Sequence, residues 1–172
     1  MNLETFNQHK IAFKGLEDGN YEFKLMIDKG FIELFEIEEI EDISIVVDIA
    51  MLKSETMLDL KIEAEGTVTV PCDRCLEPFK LETSFENKLI VKTNVLKTEM
   101  IDENLMHLSV KSDFLDLSQY LYESLMVSLP IKKVHPDKEC NKEMIKRLKP
   151  NKPNKTKNES DSRWDALKNI QF

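Results

Sequence analysis

Two long runs of alternating apolar and polar residues, 58–70 and 79–91, constrain the fold of this chain more than any other feature. Leu58, Leu60, Ile62 and Ala64 fall on one side, with Asp59, Lys61, Glu63 and Glu65 on the other; past Gly66 the same parity continues through Val68 and Val70. Phe79, Leu81, Phe85, Leu89 and Val91 then alternate against Lys80, Glu82, Glu86 and Lys88. A period of two puts successive side chains on opposite faces of a strand, so each run reads as a strand buried on one face. The short connection 71–78 makes the pair an antiparallel hairpin. Gly66 marks a kink in the first strand. One polar face argues for an antiparallel sheet, flat or curled into a partly open barrel, rather than a parallel one buried on both faces.

The rest of the chain adds shorter elements. Tyr21, Phe23, Leu25 and Ile27 alternate with polar neighbours, and 43–51 is rich in β-branched residues, so both stretches read as strands. Phe31, Ile32, Leu34 and Phe35 are spaced for a short helix, and 95–115 reads as a loop with one short strand. A longer helix follows, with Asp116 as cap, Gln119 as its capping-box partner, an apolar stripe of Leu117, Leu121, Leu125 and Leu129, and Pro130 as its stop. A second short helix is expected at 141–148. Residues 1–148 thus read as one α+β domain, an antiparallel β-sheet or partly open barrel with a few packed helices. Residues 149–160 carry no apolar side chain and read as a basic flexible linker. Residues 161–172 read as a terminal short helix, with Ser162 and Asp165 spaced for a capping box and Trp164, Leu167 and Ile170 recurring every third residue. That stripe, beyond a linker, calls for a partner surface.

Charge is unevenly spread. The net charge is −8, yet residues 141–172 carry nine Lys/Arg against four Asp/Glu. An acidic body would repel phosphate, so only the basic tail could attract nucleic acid. No run approaches the roughly 18 apolar residues of a membrane span, and no basic patch followed by an apolar stretch marks a secretory signal. The three cysteines are too few for a disulfide framework, and reduced thiols in the cytoplasm are expected. There is no phosphate-binding glycine loop, no dinucleotide fingerprint and no nucleophile elbow, so an enzyme and a small-molecule substrate are not expected.

The one constellation with chemistry in it is cysteine and histidine. Cys72-x-x-Cys75 lies in the hairpin turn, and His135-x4-Cys140 follows the long helix. A Cys-x2-Cys turn suits tetrahedral zinc, and His135 and Cys140 would complete a Cys3His structural site using every cysteine in the chain. Arg74 and the turn amides could hydrogen-bond the sulfurs. The two halves are 59 residues apart (76–134), so closure depends on the fold, and Leu76 stands where such a knuckle commonly has glycine. Two other readings stay open: two cysteines that merely share a turn, and a redox Cys-x-x-Cys, although that motif normally begins a helix after a strand. His9 and His107 read as exposed, and the acidic residues between Glu33 and Asp42 as a solvated face.

Cys72-Asp73-Arg74-Cys75-Leu76-Glu77-Pro78 after a strand, Asp116-Leu117-Ser118 through Ser128-Leu129-Pro130-Ile131, then His135 and Cys140, resemble the YceD family of bacterial and chloroplast proteins. The segment Asp161-Ser162-Arg163-Trp164-Asp165-Ala166-Leu167-Lys168 is similar to that family's terminal element, except that Ser162 stands where the family usually has proline. The resemblance implies a non-enzymatic factor supporting accumulation of large-subunit ribosomal RNA and ribosome biogenesis. On that basis Lys149, Lys152, Lys155 and Lys157 are expected to meet RNA phosphate. Arg163, Trp164 and Leu167 are expected to dock on a partner or stack on a base, and the acidic body to hold a basic ribosomal or assembly protein. The competing expectation is a zinc-stapled protein–protein adapter with no RNA contact.

Overall fold

The parity of the alternating runs sets the sheet. In a computed structural model, which describes residues 9–136 and 139–148, the elements in order are β1 (Lys10–Ala12), β2 (Gly19–Ile27), α1 (Lys29–Leu34), β3 (Asp42–Ser54), β4 (Met57–Pro71), β5 (Pro78–Val95), β6 (Glu99–Asp102), β7 (Leu105–Ser109), β8 (Phe114–Asp116), α2 (Ser118–Ser128) and α3 (Lys142–Leu148). Six strands form one sheet in the order β2-β3-β4-β5-β7-β6, and β1 pairs with β8 in a separate two-stranded ribbon. The fold is α+β, and the sheet is open: β2 and β6 are its edges and do not meet. The β4–β5 hairpin runs in unbroken antiparallel register from Met57↔Lys92 to Pro71↔Pro78.

The even positions of β4 and the odd positions of β3 point to one face. Leu58, Leu60, Ile62, Val68 and Val70 are buried there beside Ile45, Val47, Ile49 and Met51. Each such side chain withdrawn from water contributes about 1.5–3 kcal/mol. On the other face Asp48, Lys61, Glu63, Glu65 and Glu86 are exposed. α2 covers the inner face of β5. Leu117, Leu121 and Leu125 are fully buried, as their spacing predicts, and the serines beside them meet polar residues of the strand. Asn87 donates to the Ser124 hydroxyl at 2.7 Å, and the Thr83 and Ser128 hydroxyls lie 3.1 Å apart. α1 is capped by Asp28, which accepts from the Gly30 amide at 2.9 Å. Phe35 stacks on Tyr122 at 4.6 Å and ties α1 to α2.

Gly66 stays in register opposite Ile45, with no bulge in the β3–β4 pair. A Cβ there would lie 2.1 Å from the Ser44 carbonyl oxygen and 2.6 Å from the Ile45 Cα, so β3 approaches too closely for any side chain.

Three expectations are corrected. The 95–115 stretch holds β6, β7 and the start of β8 rather than one short strand. β7 pairs with β5 in parallel, so the sheet is mixed. The capping box of α2 does not form. Asp116 is part of β8, paired with Lys10, and its carboxylate accepts from the Ser118 amide at 2.9 Å; the cap residue is Leu117, without a side-chain bond, and Gln119 donates to Glu123 instead. His9 is buried, with Nε2 3.1 Å from the Met26 carbonyl oxygen and its ring edge-on to Phe31 at 5.0 Å. No described helix is long and apolar enough to cross a membrane. The expected linker at 149–160 and terminal helix at 161–172 lie outside the described residues.

Candidate metal centre

The β4–β5 turn is shaped by its own backbone. The Cys72 amide donates to the Glu77 carbonyl at 3.0 Å, and the Leu76 amide donates back to the Cys72 carbonyl at 2.8 Å. This folding-back puts Leu76 at φ +63, the left-handed region that glycine adopts without strain. It also turns the Arg74 amide toward the Cys72 sulfur, 3.4 Å away.

The chain leaving α2 is brought to this turn by two hydrogen bonds between Asp73 and Lys133. The Asp73 amide donates to the Lys133 carbonyl at 2.7 Å, and the Asp73 carboxylate accepts from the Lys133 amide at 2.6 Å. Lys133 also pairs with Glu39 at 3.0 Å. These contacts deliver His135 to the turn, where its ring lies 4.7 Å from that of Phe79. Cys140 is fixed from the other side. Asn141 accepts from the amides of Glu143 and Met144 at the start of α3 and donates to the Glu77 carboxylate at 2.6 Å. Val134, Met144 and Ile145 pack over the sulfurs.

Cys72, Cys75, His135 and Cys140, the four residues singled out from spacing, therefore converge. One ligand atom from each lies within 4.8 Å of the others. The three cysteines are buried and His135 is half-buried. Cys72 Sγ is 3.8 Å from Cys140 Sγ, Cys75 Sγ is 3.4 Å from His135 Nδ1, and Cys140 Sγ is 3.9 Å from the same nitrogen. A tetrahedral centre with metal–sulfur bonds of about 2.3 Å and metal–nitrogen bonds of about 2.0 Å has S–S edges of about 3.8 Å and S–N edges of about 3.5 Å. These three separations are of that size and all four donor atoms lie within 4.8 Å of one another, so the donor set could hold a metal ion. The Cys-x-x-Cys pair sits in a hairpin turn and not at the start of a helix.

The electrostatics of the cluster divide its thiols. Burial pushes the Cys72 thiol up, but hydrogen bonds from the backbone of His135, Arg74 and Cys75 outweigh it and bring the group down to about 6. Burial, followed by hydrogen bonds to Cys72 and Cys75, pushes Cys140 up to about 11, although the nearby Arg74 charge works the other way. One thiolate is thus ready at neutral pH, and the next is opposed by the first. The buried Arg74 Nε has no hydrogen-bond partner among the described residues. Its charge beside the sulfurs would offset the negative charge that three thiolates bring to a divalent ion.

The other expected site residues, Lys149, Lys152, Lys155, Lys157, Arg163, Trp164 and Leu167, lie outside the described residues. The acidic outer face of the sheet is within them. Asp48, Glu63 and Glu86 stand directly opposite one another on β3, β4 and β5. Lys24 pairs with Asp48 at 3.1 Å, and Lys61 bridges Glu63 and Glu86. Sequence alternation puts Glu63 and Glu86 each on the polar side of its own strand, but the row depends on cross-strand register.

A family model described as large ribosomal RNA subunit accumulation protein YceD matches residues 60–171, more than half of the chain. The match begins inside β4 and includes all four residues of the candidate metal centre. No curated protein and no solved structure matches the chain.

Proposed function

The chain belongs to the YceD family, and from that premise we propose that it is a non-enzymatic factor supporting accumulation of large-subunit ribosomal RNA, and hence ribosome biogenesis, in a bacterial cytoplasm. The family match carries this reading. The metal centre supports its structural half: Cys72, Cys75, His135 and Cys140 hold one zinc ion, which joins the β4–β5 turn to the segment after α2. Zinc there supplies folding free energy, since three protein thiolates and an imidazole close the coordination shell and leave no position for a substrate. The basic residues Lys149, Lys152, Lys155 and Lys157 meet RNA phosphate, and Arg163, Trp164 and Leu167 anchor the complex on a ribosomal or assembly protein.

The test is the ratio of large- to small-subunit ribosomal RNA in cells lacking the protein. The ratio falls and is restored by the intact chain; an unchanged ratio overturns the proposal. RNA affinity that drops steeply with salt and is lost on deleting 149–172 supports the phosphate contact. The adapter reading is favoured by the Asp48–Glu63–Glu86 row, which would attract a basic protein and repel RNA. An adapter keeps its ribosomal partner through nuclease treatment, and an RNA binder loses it.

A further inference from the structure

The edges of the main sheet differ. β6 is four residues long, fully exposed and irregular in its pairing with β7. β2 is nine residues long, contains no proline and pairs with β3 without a shift in register. A long regular edge presents a row of unpaired main-chain groups that can template another strand.

Which groups face outward follows from the register. Thr93 donates to the Thr56 carbonyl across the β4–β5 pair at 3.0 Å, so even residues of β4 point to β5 and odd ones to β3. Carried through the unshifted β3–β4 and β2–β3 pairs, this puts the odd residues of β2 toward β3 and the even ones outward. The Met26 carbonyl accepts from His9, which lies outside the sheet, as this phase requires. The amides and carbonyls of Asn20, Glu22 and Lys24 therefore point away from the sheet, and no described strand other than β3 pairs with β2.

We propose that β2 pairs antiparallel with β2 of a second copy of this chain, about a two-fold axis through Phe23, joining two six-stranded sheets into one. Hydrogen bonding requires even residues to face even residues. Three such registers are centred on the strand. One sets Glu22 against Glu22, another sets Lys24 against Lys24, and both place like charges directly opposite. The third sets Glu22 against the partner's Lys24 and, by symmetry, Lys24 against the partner's Glu22. It also brings Phe23 against its own copy and Tyr21 against Leu25 on the inner face, where all three are half-buried in the single chain. Lys24 then stands between its own Asp48 and the partner's Glu22. His9, on the Met26 carbonyl, limits the pairing to residues 21–25, so the interface is small and the association weak. An isologous contact of this kind closes on itself and does not propagate.

The experiment is sedimentation equilibrium on the full chain, Glu22→Lys, Lys24→Glu and an equimolar mixture of the two variants. The wild type self-associates to a dimer. Each variant alone meets like charge twice across the axis and dimerises about tenfold more weakly. In the mixture opposite charges face each other at both positions, and dimer returns. Amide exchange gives a second readout, with protection of residues 22 and 24 rising with protein concentration. A wild type that stays monomeric, a mixture that stays as dissociated as its components, or amides protected equally at all concentrations because another part of the same chain covers them, would each overturn the proposal.

Discussion

Cys75 Sγ lies 3.4 Å from Nδ1 of His135, sixty residues later in the chain. The contact joins the tip of the longest hairpin to the segment that follows α2. Metal removal should therefore act on both. Protein purified without chelator is expected to carry one zinc per chain. Cys75→Ser leaves an incomplete donor set, and loss of zinc from it should cost several kcal/mol of stability, with α3 the first element to lose amide protection. Metal analysis beside denaturant unfolding measures this; a variant as stable as the parent would remove the structural role of the ion.

Without metal, the thiols give the stability a pH profile. Cys72 is held down to about 6 in the fold against an ordinary 9.0, so between those values the unfolded chain binds the extra proton and stability rises with pH. That contribution is complete above 9 and is lost as pH falls through 6. Cys140 is pushed up to about 11, so between 9 and 11 the folded chain keeps the proton that the unfolded chain has lost, and stability falls. The urea midpoint in chelator should peak near pH 9 and lose its peak in a variant lacking both cysteines.

Leu76 holds φ +63 with its side chain exposed. The left-handed conformation costs a non-glycine residue about 1–2 kcal/mol, while glycine costs about 0.5–1 kcal/mol more to order from the unfolded chain. Leu76→Gly should therefore stabilise by up to about 1.5 kcal/mol, and Leu76→Val, branched at Cβ, should destabilise. Thermal unfolding of the two variants beside the parent compares them.

Gly66→Ala should destabilise by about 3 kcal/mol, because the new Cβ meets backbone atoms of Ser44 and Ile45 that cannot rotate away. Leu121→Ala, which leaves a cavity between α2 and the sheet, should cost about 2–5 kcal/mol. Two substitutions of similar expected cost, one adding a methyl group and one removing three side-chain carbons, thus test backbone crowding and side-chain packing separately.

Much of this was legible in the sequence where local pattern and tertiary environment agree. The long strands were readable because one side of each is buried and the other wet, and the leucine stripe of α2 for the same reason at helical spacing. The four residues that converge were readable from residue type, although nothing local shows that Lys133 would bond to Asp73 and close the gap. β6 escaped notice because both its faces are exposed and no alternation remains. The parallel partner of β5 escaped because register between distant strands leaves no periodic trace. His9 was misread because a single histidine in an unpatterned stretch carries no sign of the Met26 carbonyl that accepts it.

The separation of the donors also gives the site an order in time. During synthesis Cys72 and Cys75 emerge together, and His135 follows sixty residues after Cys75. At about 5–20 residues per second, two thiols wait roughly 3–12 seconds before a third donor is available. In that interval the two thiols are open to capture of metal by two ligands alone, until His135 and Cys140 arrive.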